Sequence, residues 1–368
     1  MDYRPALRQR TGVGEYVHEV ARALVATAPP DESLVLFSAS WKDRLAASTV
    51  PGAATIDRAI PVSALNFAWH RLGWPPLEWV AGGPVDVAQA THPLLLPSRR
   101  AARLVTIYDL DFLDHPERTQ REIKRDYPAL AGSHARAADQ VIVISQHTAR
   151  EVESRLGVPR SRISICVPGA PSWSRRDGEP RSGGCILFLG TIEPRKNLGR
   201  LLDAYERLLV VEPHAPPLVL AGRVTPEAEA LVDRTRTAPL AGRVEWTGYV
   251  QADQRPALFS RALVFVLPSH TEGFGMPVIE AMTSGVPVIA ADRGAIPEAV
   301  GGAGILVDPD DAEAMAAALQ RVVGDPALRQ RMSDDGWQHA RQFQWTRTAQ
   351  GVREAWHLAR EHRRAAHG

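Results

Sequence analysis

The sequence has little of what marks secreted, membrane-spanning or nucleic-acid-binding proteins. Two cysteines, Cys166 and Cys185, occur among 368 residues, which excludes a disulfide scaffold and a cysteine-rich zinc site and indicates a reducing compartment. The 43 basic and 42 acidic residues give a formal net charge of +1, so no overall field attracts nucleic acid or anionic lipid. No apolar run approaches the roughly 20 residues that span a bilayer, and the amino terminus has no apolar signal-peptide core. These absences predict a cytoplasmic protein without a nucleic-acid partner.

Several catalytic signatures are also absent. The 12 histidines are scattered, without the spacing typical of a zinc site. The chain has neither a Walker phosphate loop nor a Gly-x-Ser-x-Gly nucleophile elbow. A hydrolase built on an activated nucleophile is therefore unsupported, and no metal site is predicted.

What the sequence does contain is an alternation of short apolar runs and amphipathic helices. Such runs, rich in β-branched residues and bounded by Gly, Pro or Ser, are typical of buried parallel strands. Eleven of them are too many for one doubly wound sheet. We therefore expect an α/β protein with two Rossmann-like, doubly wound domains. The predicted strands are 34–37, 85–88, 104–108, 141–144, 163–167, 186–189, 218–221, 244–246, 263–267, 286–290 and 304–307.

The predicted domain boundary is a segment rich in Pro, Gly, Ser and charge. Residues 171–184 have no periodicity and separate two strand–helix series. We predict an N-terminal domain over residues 1–170, a linker over 171–184 and a C-terminal domain over 185–345. Residues 346–368 have helical spacing and are expected to form a helix that crosses back to the first domain.

The beginning of the chain departs from the usual pattern of such domains. A doubly wound domain normally opens with a strand that leads into its first glycine-rich turn. Here the TGVG turn at 11–14 follows only a polar stretch, so the first strand is expected to be missing. Either the chain begins there, or Met1 is internal to a longer natural sequence; we prefer the second interpretation.

The most informative segment combines two glutamates with a glycine-rich turn. Glu272 and Glu280 flank the stretch GFGMPVI. Gly273 and Gly275 allow a close approach of backbone to ligand, and Pro277 suits the first turn of a helix. The helix amino terminus would face a phosphate, while the two carboxylates would accept hydrogen bonds from sugar and ribose hydroxyls. The alternative, two solvated surface glutamates, is less favoured because glycines and a helix start lie between them.

A second candidate element directly follows the first strand of the second half. Residues 190–197 read GTIEPRKN and come at the carboxyl end of the predicted strand 186–189, where open α/β sheets bind their ligands. Arg195 and Lys196 can neutralise a diphosphate there. The alternative, two cations that merely solvate a helix start, is unattractive because cations oppose the helix dipole at that end.

The first half contributes weaker candidates. Gly14 precedes or opens a helix and is a candidate cleft residue, with tight packing as the alternative. Asp109 ends a strand and is either a polar contact to the ligand or a turn cap. Trp69, Trp74 and Trp79 recur at five-residue intervals, and the alternatives for them are an acceptor surface and buried packing.

Together these motifs resemble the retaining glycosyltransferases of family 4. The segment from Glu272 to Glu280 resembles the donor-binding signature of that family, and the resemblance covers essentially the whole chain. It implies the GT-B fold, in which two Rossmann-like domains face each other across a cleft, the second holding a nucleotide sugar and the first an acceptor. The other matching landmarks are TGVGEY at 11–16, VTIYDL at 105–110, HPE at 115–117, GTIEPRKN at 190–197, SGVPV at 284–288 and GAIPE at 294–298.

The resemblance also implies a role for each candidate residue. Glu280 would bind the ribose hydroxyls of the donor. Glu272 and the backbone of residues 273–275, which include Phe274, would hold the transferred sugar. Arg195 and Lys196 would stabilise the departing diphosphate, and the two candidates in the first half would complete the donor site. Enzymes of this kind normally need no metal or other cofactor, and their front-face mechanism needs no protein nucleophile.

Substrate and location follow from the same resemblance. The wording of the EPRKN and HPE motifs most resembles the mannosyltransferase-like branch, which favours GDP-mannose as the donor. The expected acceptor is a glycan, a lipid-linked glycan or a small molecule. The expected location is the cytoplasm, with a peripheral contact to the inner face of the membrane.

Three departures from the family pattern keep other functions open, and the missing first strand is one of them. Tyr108 stands where many relatives carry His, and Thr191 stands where relatives often carry Arg. One alternative is a GT-B epimerase that acts on the nucleotide sugar itself. The other is a catalytically weak homologue that binds a nucleotide sugar or a partner transferase.

Overall fold

The computed structural model describes residues 1–7, 10, 12–118, 121–180 and 184–367. Thr11 of the predicted TGVG turn and residues 181–183 of the predicted linker lie outside this set. The chain divides into two compact units. Unit 1 comprises Met1–Gly169 and Gln344–Gly368, and unit 2 comprises Ala170–Phe343. In the described part of the chain, no helix has both the length and the apolar character needed to cross a bilayer.

Unit 1 is built on parallel strands covered by helices. A two-stranded sheet pairs β1 with β2, and a four-stranded sheet has the order β3-β4-β5-β6, every pair parallel. The strands are β1 Val35–Ala39, β2 Ala54–Arg58, β3 Val87–Gln89, β4 Ala102–Ile107, β5 Gln140–Val143 and β6 Ile163–Ile165. The helices are α1 Gly12–Ala26, α2 Val62–Phe67, α3 Leu77–Ala81, α4 Asp111–Asp114, α5 Arg121–Ala137, α6 Gln146–Leu156 and, after unit 2, α14 Trp345–His367, with a π-helical turn at Ala68–Leu72.

The first three residues lie between these two sheets. The backbone N–H of Tyr3 donates to Phe37, and the N–H of Phe37 donates to the carbonyl of Met1. On the other side, the N–H of Asp2 donates to the carbonyl of Gln89 at 2.9 Å. The place at which the sequence predicted a missing strand is thus occupied by residues 1–3, a segment too short and too polar to be recognised as a strand.

Asp2 is the polar residue of that segment, and it is fully buried. Arg4 donates to both of its carboxylate oxygens, and His92 Nε2 lies 3.1 Å from Oδ2. Burial alone would raise the pKa of the Asp2 carboxyl, but Arg4 and His92 outweigh it and hold this pKa well below its usual range. Asp2 is therefore ionised in the folded protein and belongs to a satisfied ion pair.

Helix α14 is part of unit 1, although it follows unit 2 in the chain. Its buried stripe of Ala349, Val352, Ala355 and Ala359 recurs every three or four residues, as expected for a helix that covers a sheet. The helix packs on α1, β4 and β5. The guanidinium of Arg353 fixes it further, since its Nε donates to both carboxylate oxygens of Glu32 at 2.9 Å.

Unit 2 contains one six-stranded parallel sheet with the order β12-β11-β10-β7-β8-β9. Numbered within the unit and taken from the β9 edge, this is 3-2-1-4-5-6, the Rossmann order. The predicted α/β class with doubly wound parallel sheets is confirmed. The strands are β7 Cys185–Leu189, β8 Leu218–Ala221, β9 Val244–Gly248, β10 Ala262–Leu267, β11 Val288–Ala291 and β12 Ile305–Val307, and the helices are α7 Leu198–Val211, α8 Glu229–Arg234, α9 Arg255–Ser260, α10 Met276–Thr283, α11 Ile296–Val300, α12 Ala312–Gly324 and α13 Pro326–Ala340.

The strand order fixes where a ligand site can form in unit 2. β7 and β10 are neighbours, and the connections that leave them run to opposite sides of the pair. Open α/β sheets bind ligands at such a switch point, outside the carboxyl ends of the strands. Residues 190–197 follow β7, and residues 268–275 follow β10, so both candidate motifs meet at this position.

Candidate active site

The loop after β7 is held tightly against its neighbours. Ile192 forms an isolated parallel bridge with Val224. A Cβ atom added to Gly222, which has φ near +150°, would lie only 1.8 Å from the carbonyl oxygen of Gly190. Only glycine permits this approach of the two backbones. The close contact gives the loop that leads to Arg195 and Lys196 a fixed course.

Asn197 connects this loop to the rest of the switch point. It has φ 57°, the left-handed conformation that Asn tolerates better than most residues. Its side-chain amide donates to the carbonyls of Pro268 and Pro309 at 3.2 and 2.7 Å. The N–H of His270 in turn donates to the carbonyl of Arg195 at 2.9 Å. The loops after β7 and β10 are therefore fastened together before any ligand binds.

A buried ion pair lies at the centre of this arrangement. Lys196 Nζ lies 2.5 Å from Glu272 Oε1, and both side chains are less than one-tenth exposed. The hydroxyl of Ser269 donates to the same carboxylate oxygen at 2.7 Å. Arg195 Nη1 lies 3.5 Å from Glu272 Oε2 and donates to the carbonyl of Thr271 at 2.9 Å. Arg195 Nε also donates to Glu193 Oε1 at 2.6 Å, so two cations and two carboxylates are brought together at the switch point.

The protonation of this cluster follows from burial and charge. Burial would raise the pKa of the Glu272 carboxyl, but Lys196 and Arg195 outweigh it, so this pKa lies below its usual value. Burial and the neighbouring Arg195 lower the pKa of Lys196, and Glu272 offsets only part of that effect. Glu272 is therefore ionised, and Lys196 is less strongly held as a cation than an exposed lysine. An anionic ligand that joined the cluster would favour the charged form of Lys196.

The second glutamate lies on helix α10. This helix follows Gly275, whose φ of 103° no ordinary side chain tolerates, and has Pro277 in its first turn. Glu280 is 5% exposed, and its Oε1 accepts a hydrogen bond from Arg255 Nη1 at 2.7 Å. Arg255, on helix α9, therefore holds the Glu280 carboxylate in place.

For each of the other three candidate residues, the structure shows a packing or turn contact. Phe274 is 2% exposed, with its ring 5.6 Å from that of Phe343, so it can offer a ligand only its backbone. In unit 1, a Cβ atom on Gly14 would lie 2.8 Å from the carbonyl oxygen of Pro5, which gives this glycine a packing role. Asp109 Oδ1 accepts the N–H of Asp111 at 3.2 Å, as a turn cap does.

The structure shows the burial of Tyr108 and of the three tryptophans, which the sequence left open. The Tyr108 hydroxyl is buried, and its ring meets that of Tyr16 edge-on at 5.6 Å. Trp69 is 2% exposed and belongs to the core, whereas Trp74 and Trp79 are 56% and 58% exposed. Buried packing is therefore correct for Trp69, whereas Trp74 and Trp79 lie at the surface, and an acceptor role for these two stays a prediction.

Sequence reasoning missed three residues that shape the site. Arg255, which holds Glu280, lies on a helix without any recognisable motif, and no sequence signal could have linked the two. Ser269 and Asn197 lie in or beside quoted motifs, so their positions after two strands could have suggested contacts at the sheet edge. Within the described part of the chain, no three His, Cys, Asp or Glu side chains are grouped so that they could hold a metal ion.

Comparison with known families assigns both halves of the chain. The model described as "Glycosyltransferase Family 4" matches residues 10–171. The model described as "Glycosyl transferases group 1" matches residues 171–339. The chain is a glycosyltransferase, with a family 4 domain followed by a group 1 domain. The predicted enzyme class, transfer of a sugar from a nucleotide-sugar donor, is thereby confirmed.

Individual relatives agree with this assignment. The chain is 27% identical to the O-antigen chain mannosyltransferase B of Escherichia coli over 357 residues, which are 91% of this chain and 93% of the relative. It is 28% identical to a D-inositol 3-phosphate glycosyltransferase of Rhodococcus opacus (strain B4) over 248 residues, which are 63% of this chain and 56% of that protein. The predicted similarity to mannosyltransferases is confirmed.

Solved structures show the same fold. The sucrose-phosphate synthase of Thermosynechococcus elongatus superposes with a TM-score of 0.77 at 21% identity and covers 97% of both chains. WaaG, a glycosyltransferase involved in lipopolysaccharide biosynthesis, superposes with a TM-score of 0.70 at 15% identity and covers 96% of both. The predicted GT-B fold is confirmed by these glycosyltransferases.

Proposed function

We propose that this glycosyltransferase moves mannose from GDP-mannose to a glycan acceptor, with retention of the anomeric configuration and without a metal ion. The observation that carries the proposal is the buried cluster of Arg195, Lys196 and Glu272 at the switch point of the unit 2 sheet. Similarity to an O-antigen chain mannosyltransferase along almost the whole chain supports mannose and a glycan acceptor.

The two cations would bind the diphosphate of the donor. Without a ligand, Glu272 neutralises Lys196, and Glu193 pairs with Arg195 at 2.6 Å. A diphosphate carries at least as much negative charge as these two carboxylates, so it would compete with them for the two cations. The amino terminus of α10 would add its partial positive charge on the same ligand. These groups are fixed before the reaction, which is what makes electrostatic stabilisation of a leaving group effective.

The two glutamates would hold the two sugars of the donor. Glu272 Oε1 is occupied by Lys196 and Ser269, which leaves Oε2 on the side of Arg195 to accept a hydroxyl of the transferred mannose. Glu280, oriented by Arg255, would accept hydrogen bonds from the ribose hydroxyls. Each carboxylate is thus proposed to bind the hydroxyls of one sugar ring.

The transfer step would need no nucleophile from the protein. The bond between the anomeric carbon and the leaving phosphate oxygen breaks, while the acceptor hydroxyl oxygen forms a bond to the same face of that carbon. The leaving phosphate takes the hydroxyl proton. Arg195 and Lys196 meet the charge that develops on the diphosphate, and this is the main contribution that the chain makes to the rate.

Radiolabelled donors test this proposal directly. The protein is incubated with GDP-mannose or UDP-glucose, with and without a lipid-linked glycan extract, in the presence of EDTA. We expect labelled glycan from GDP-mannose only when the extract is present, and undiminished turnover in EDTA. Conversion of the donor without acceptor would indicate an epimerase, binding without conversion would indicate an inactive homologue, and recovery of a lost activity by Mn²⁺ would contradict the metal-free mechanism.

A further inference from the structure

The surface of unit 1 has an unusual concentration of exposed apolar side chains. Of the large hydrophobic residues exposed by half or more, four lie within thirteen consecutive positions. These are Phe67, Leu72, Trp74 and Trp79, with exposures of 52%, 64%, 56% and 58%. A soluble surface gains nothing from a cluster of this kind, and such clusters usually mark an interaction site.

Two of these side chains form a surface together with cations. The rings of Trp74 and Trp79 meet edge-on with centroids 6.3 Å apart. The guanidinium of Arg99 lies 5.1 Å from the centre of the Trp79 ring, within cation–π range. Trp74, Arg99 and Arg103, together with Ser98, line one cavity of about 260 Å³. We call Trp74, Trp79, Arg99 and Arg103 the tryptophan–arginine patch.

The charge of this patch favours an anionic partner. Arg99 and the adjacent Arg100 are exposed, and neither forms an ion pair with any of the residues that the structure describes. The carboxylate of Glu78 is turned inward, where its Oε1 accepts hydrogen bonds from Ser98 and from the amides of both arginines. Asp139 likewise binds the amide of Arg103 at 2.7 Å. Glu78 therefore serves the backbone, whereas Asp139 also pairs with the Arg103 guanidinium at 3.9 Å. The exposed guanidinium groups of Arg99 and Arg100 set the sign of the surface.

The position of the patch separates it from the ligand edge of its own sheet. Ser98 and Arg99 precede β4, and Arg103 lies at the start of that strand. Asp109, by contrast, follows the carboxyl end of the same strand. The patch thus lies at the amino-terminal edge of the unit 1 sheet, away from the edge at which open α/β sheets bind substrates.

We propose that the tryptophan–arginine patch binds the surface of a bilayer that contains anionic phospholipids. Tryptophan is the residue that prefers the boundary between head groups and acyl chains, and arginine pairs with lipid phosphates through its planar fork. In this proposal, one phosphate head group lies beside the Arg99 guanidinium at the cavity that Trp74 and Arg103 also line. Exposed Phe67 and Leu72 add apolar contact beside it. A neutral glycan would use the aromatic rings but not the cations. The inference goes beyond the transfer reaction. Only the further idea, that binding to a bilayer brings the protein to a lipid-linked acceptor, rests on the proposed function.

Vesicle flotation with the full chain tests the proposal. The probes are phosphatidylcholine vesicles with and without phosphatidylglycerol, at low and high salt. We expect binding to the anionic vesicles only, and weaker binding in high salt because ions screen the charges. The double variant Trp74→Ser/Trp79→Ser should bind about tenfold less tightly or worse, since two large apolar contacts are lost. The Arg99→Glu variant should bind the anionic vesicles about fivefold more weakly for each unit of positive charge removed.

Matched controls separate this effect from general damage. Trp41→Ser removes a tryptophan that is 70% exposed elsewhere in unit 1, and Arg207→Glu reverses an exposed charge on α7. Both controls should float like the wild type. The affinity for GDP, measured by calorimetry, should be the same in the patch variants and the wild type. A wild-type protein that binds vesicles but does not bind GDP would count against the proposed function alone.

Several results would overturn the proposal. One is equal flotation of the patch variants and the wild type. Another is retention of the wild type on an immobilised neutral mannan, lost in the tryptophan variants, without any binding to vesicles. A third is a dimer in gel filtration that the tryptophan variants convert to a monomer. Each of these would assign the patch to a different partner.

Discussion

The Lys196–Glu272 ion pair allows the sharpest prediction. Lys196→Ala removes the cation that lies 2.5 Å from Glu272 and leaves that carboxylate buried. Removal of one partner from a buried pair commonly costs about 3–5 kcal/mol of stability. Here Ser269 still donates to the carboxylate and Arg195 remains at 3.5 Å. We therefore expect a smaller loss, about 2–3 kcal/mol, which in a unit of this size lowers Tm by roughly 5–10 °C.

The same variant should affect catalysis more than stability. One transition-state charge contact is lost, and Glu272 is left without its main partner beside the diphosphate. Turnover should fall about a hundredfold or more. The affinity for GDP should fall about ten- to a hundredfold, as expected for the loss of one charged hydrogen bond. Lys196→Arg should recover part of both losses, because it restores the charge with a different reach and geometry.

Three measurements check this prediction. Calorimetric scans give Tm, titration calorimetry gives the Kd for GDP, and initial rates give kcat and KM separately. Lys42→Ala, which removes an exposed lysine of unit 1, is the matched control and should change none of them. A folded Lys196→Ala protein with wild-type kcat and wild-type GDP affinity would refute both the diphosphate role and the reasoning that led to it.

Three further predictions concern other parts of the molecule. Glu280→Ala should weaken GDP binding by about ten- to a hundredfold while the fold is kept, because a buried acceptor of ribose hydroxyls is lost; unchanged affinity in titration calorimetry would count against the donor site. Gly222→Ala should destabilise unit 2 by about 3 kcal/mol or more, since the new methyl group would lie 1.8 Å from the Gly190 carbonyl oxygen. Gly242→Ala, at a positive φ but with open space around it, should cost only about 1 kcal/mol, and equal urea midpoints for the two variants would contradict the packing argument. Asp2 has a lowered pKa in the folded state, so its contribution to stability is fully present above its unfolded pKa of about 3.9 and is lost as the pH falls below that value. The Asp2→Asn variant should therefore have a lower Tm than the wild type at pH 7, and its Tm should fall less than that of the wild type between pH 5 and pH 2. An equal fall of Tm in the two proteins would show that other groups govern the loss of stability in acid.

The sequence predicted the strands that are buried on both faces, and also the partly exposed strands β9 and β12. β10 and β8, for example, are continuous apolar runs between turn residues, and each was predicted within about a residue of its bounds. β2 was missed because it is a partly exposed edge strand with the polar sequence ATIDR. Periodicity detects burial, so a strand with little burial gives little signal.

The position of the site in the fold could be predicted from the sequence, but the contacts between its side chains could not. Parallel strands bring their carboxyl ends to one edge, so motifs after β7 and β10 could be expected to meet there. The sequence did not indicate that Lys196 and Glu272 already neutralise each other without a ligand. It also gave no reason to connect Arg255 with Glu280, because contacts between residues on different helices depend on packing and have no local pattern. The roles of these residues in donor binding stay predictions until the variants are measured.

The return of α14 to unit 1 has a consequence for how the chain is made. The ribosome releases Ala170–Phe343 before it releases the helix that covers β4 and β5 of the first unit. Domains generally fold as units during synthesis. Unit 2, although it is encoded second, therefore becomes complete first. The amino-terminal unit must wait with part of its sheet uncovered until Trp345–His367 emerges, so the unit that begins first in translation is the last to finish folding.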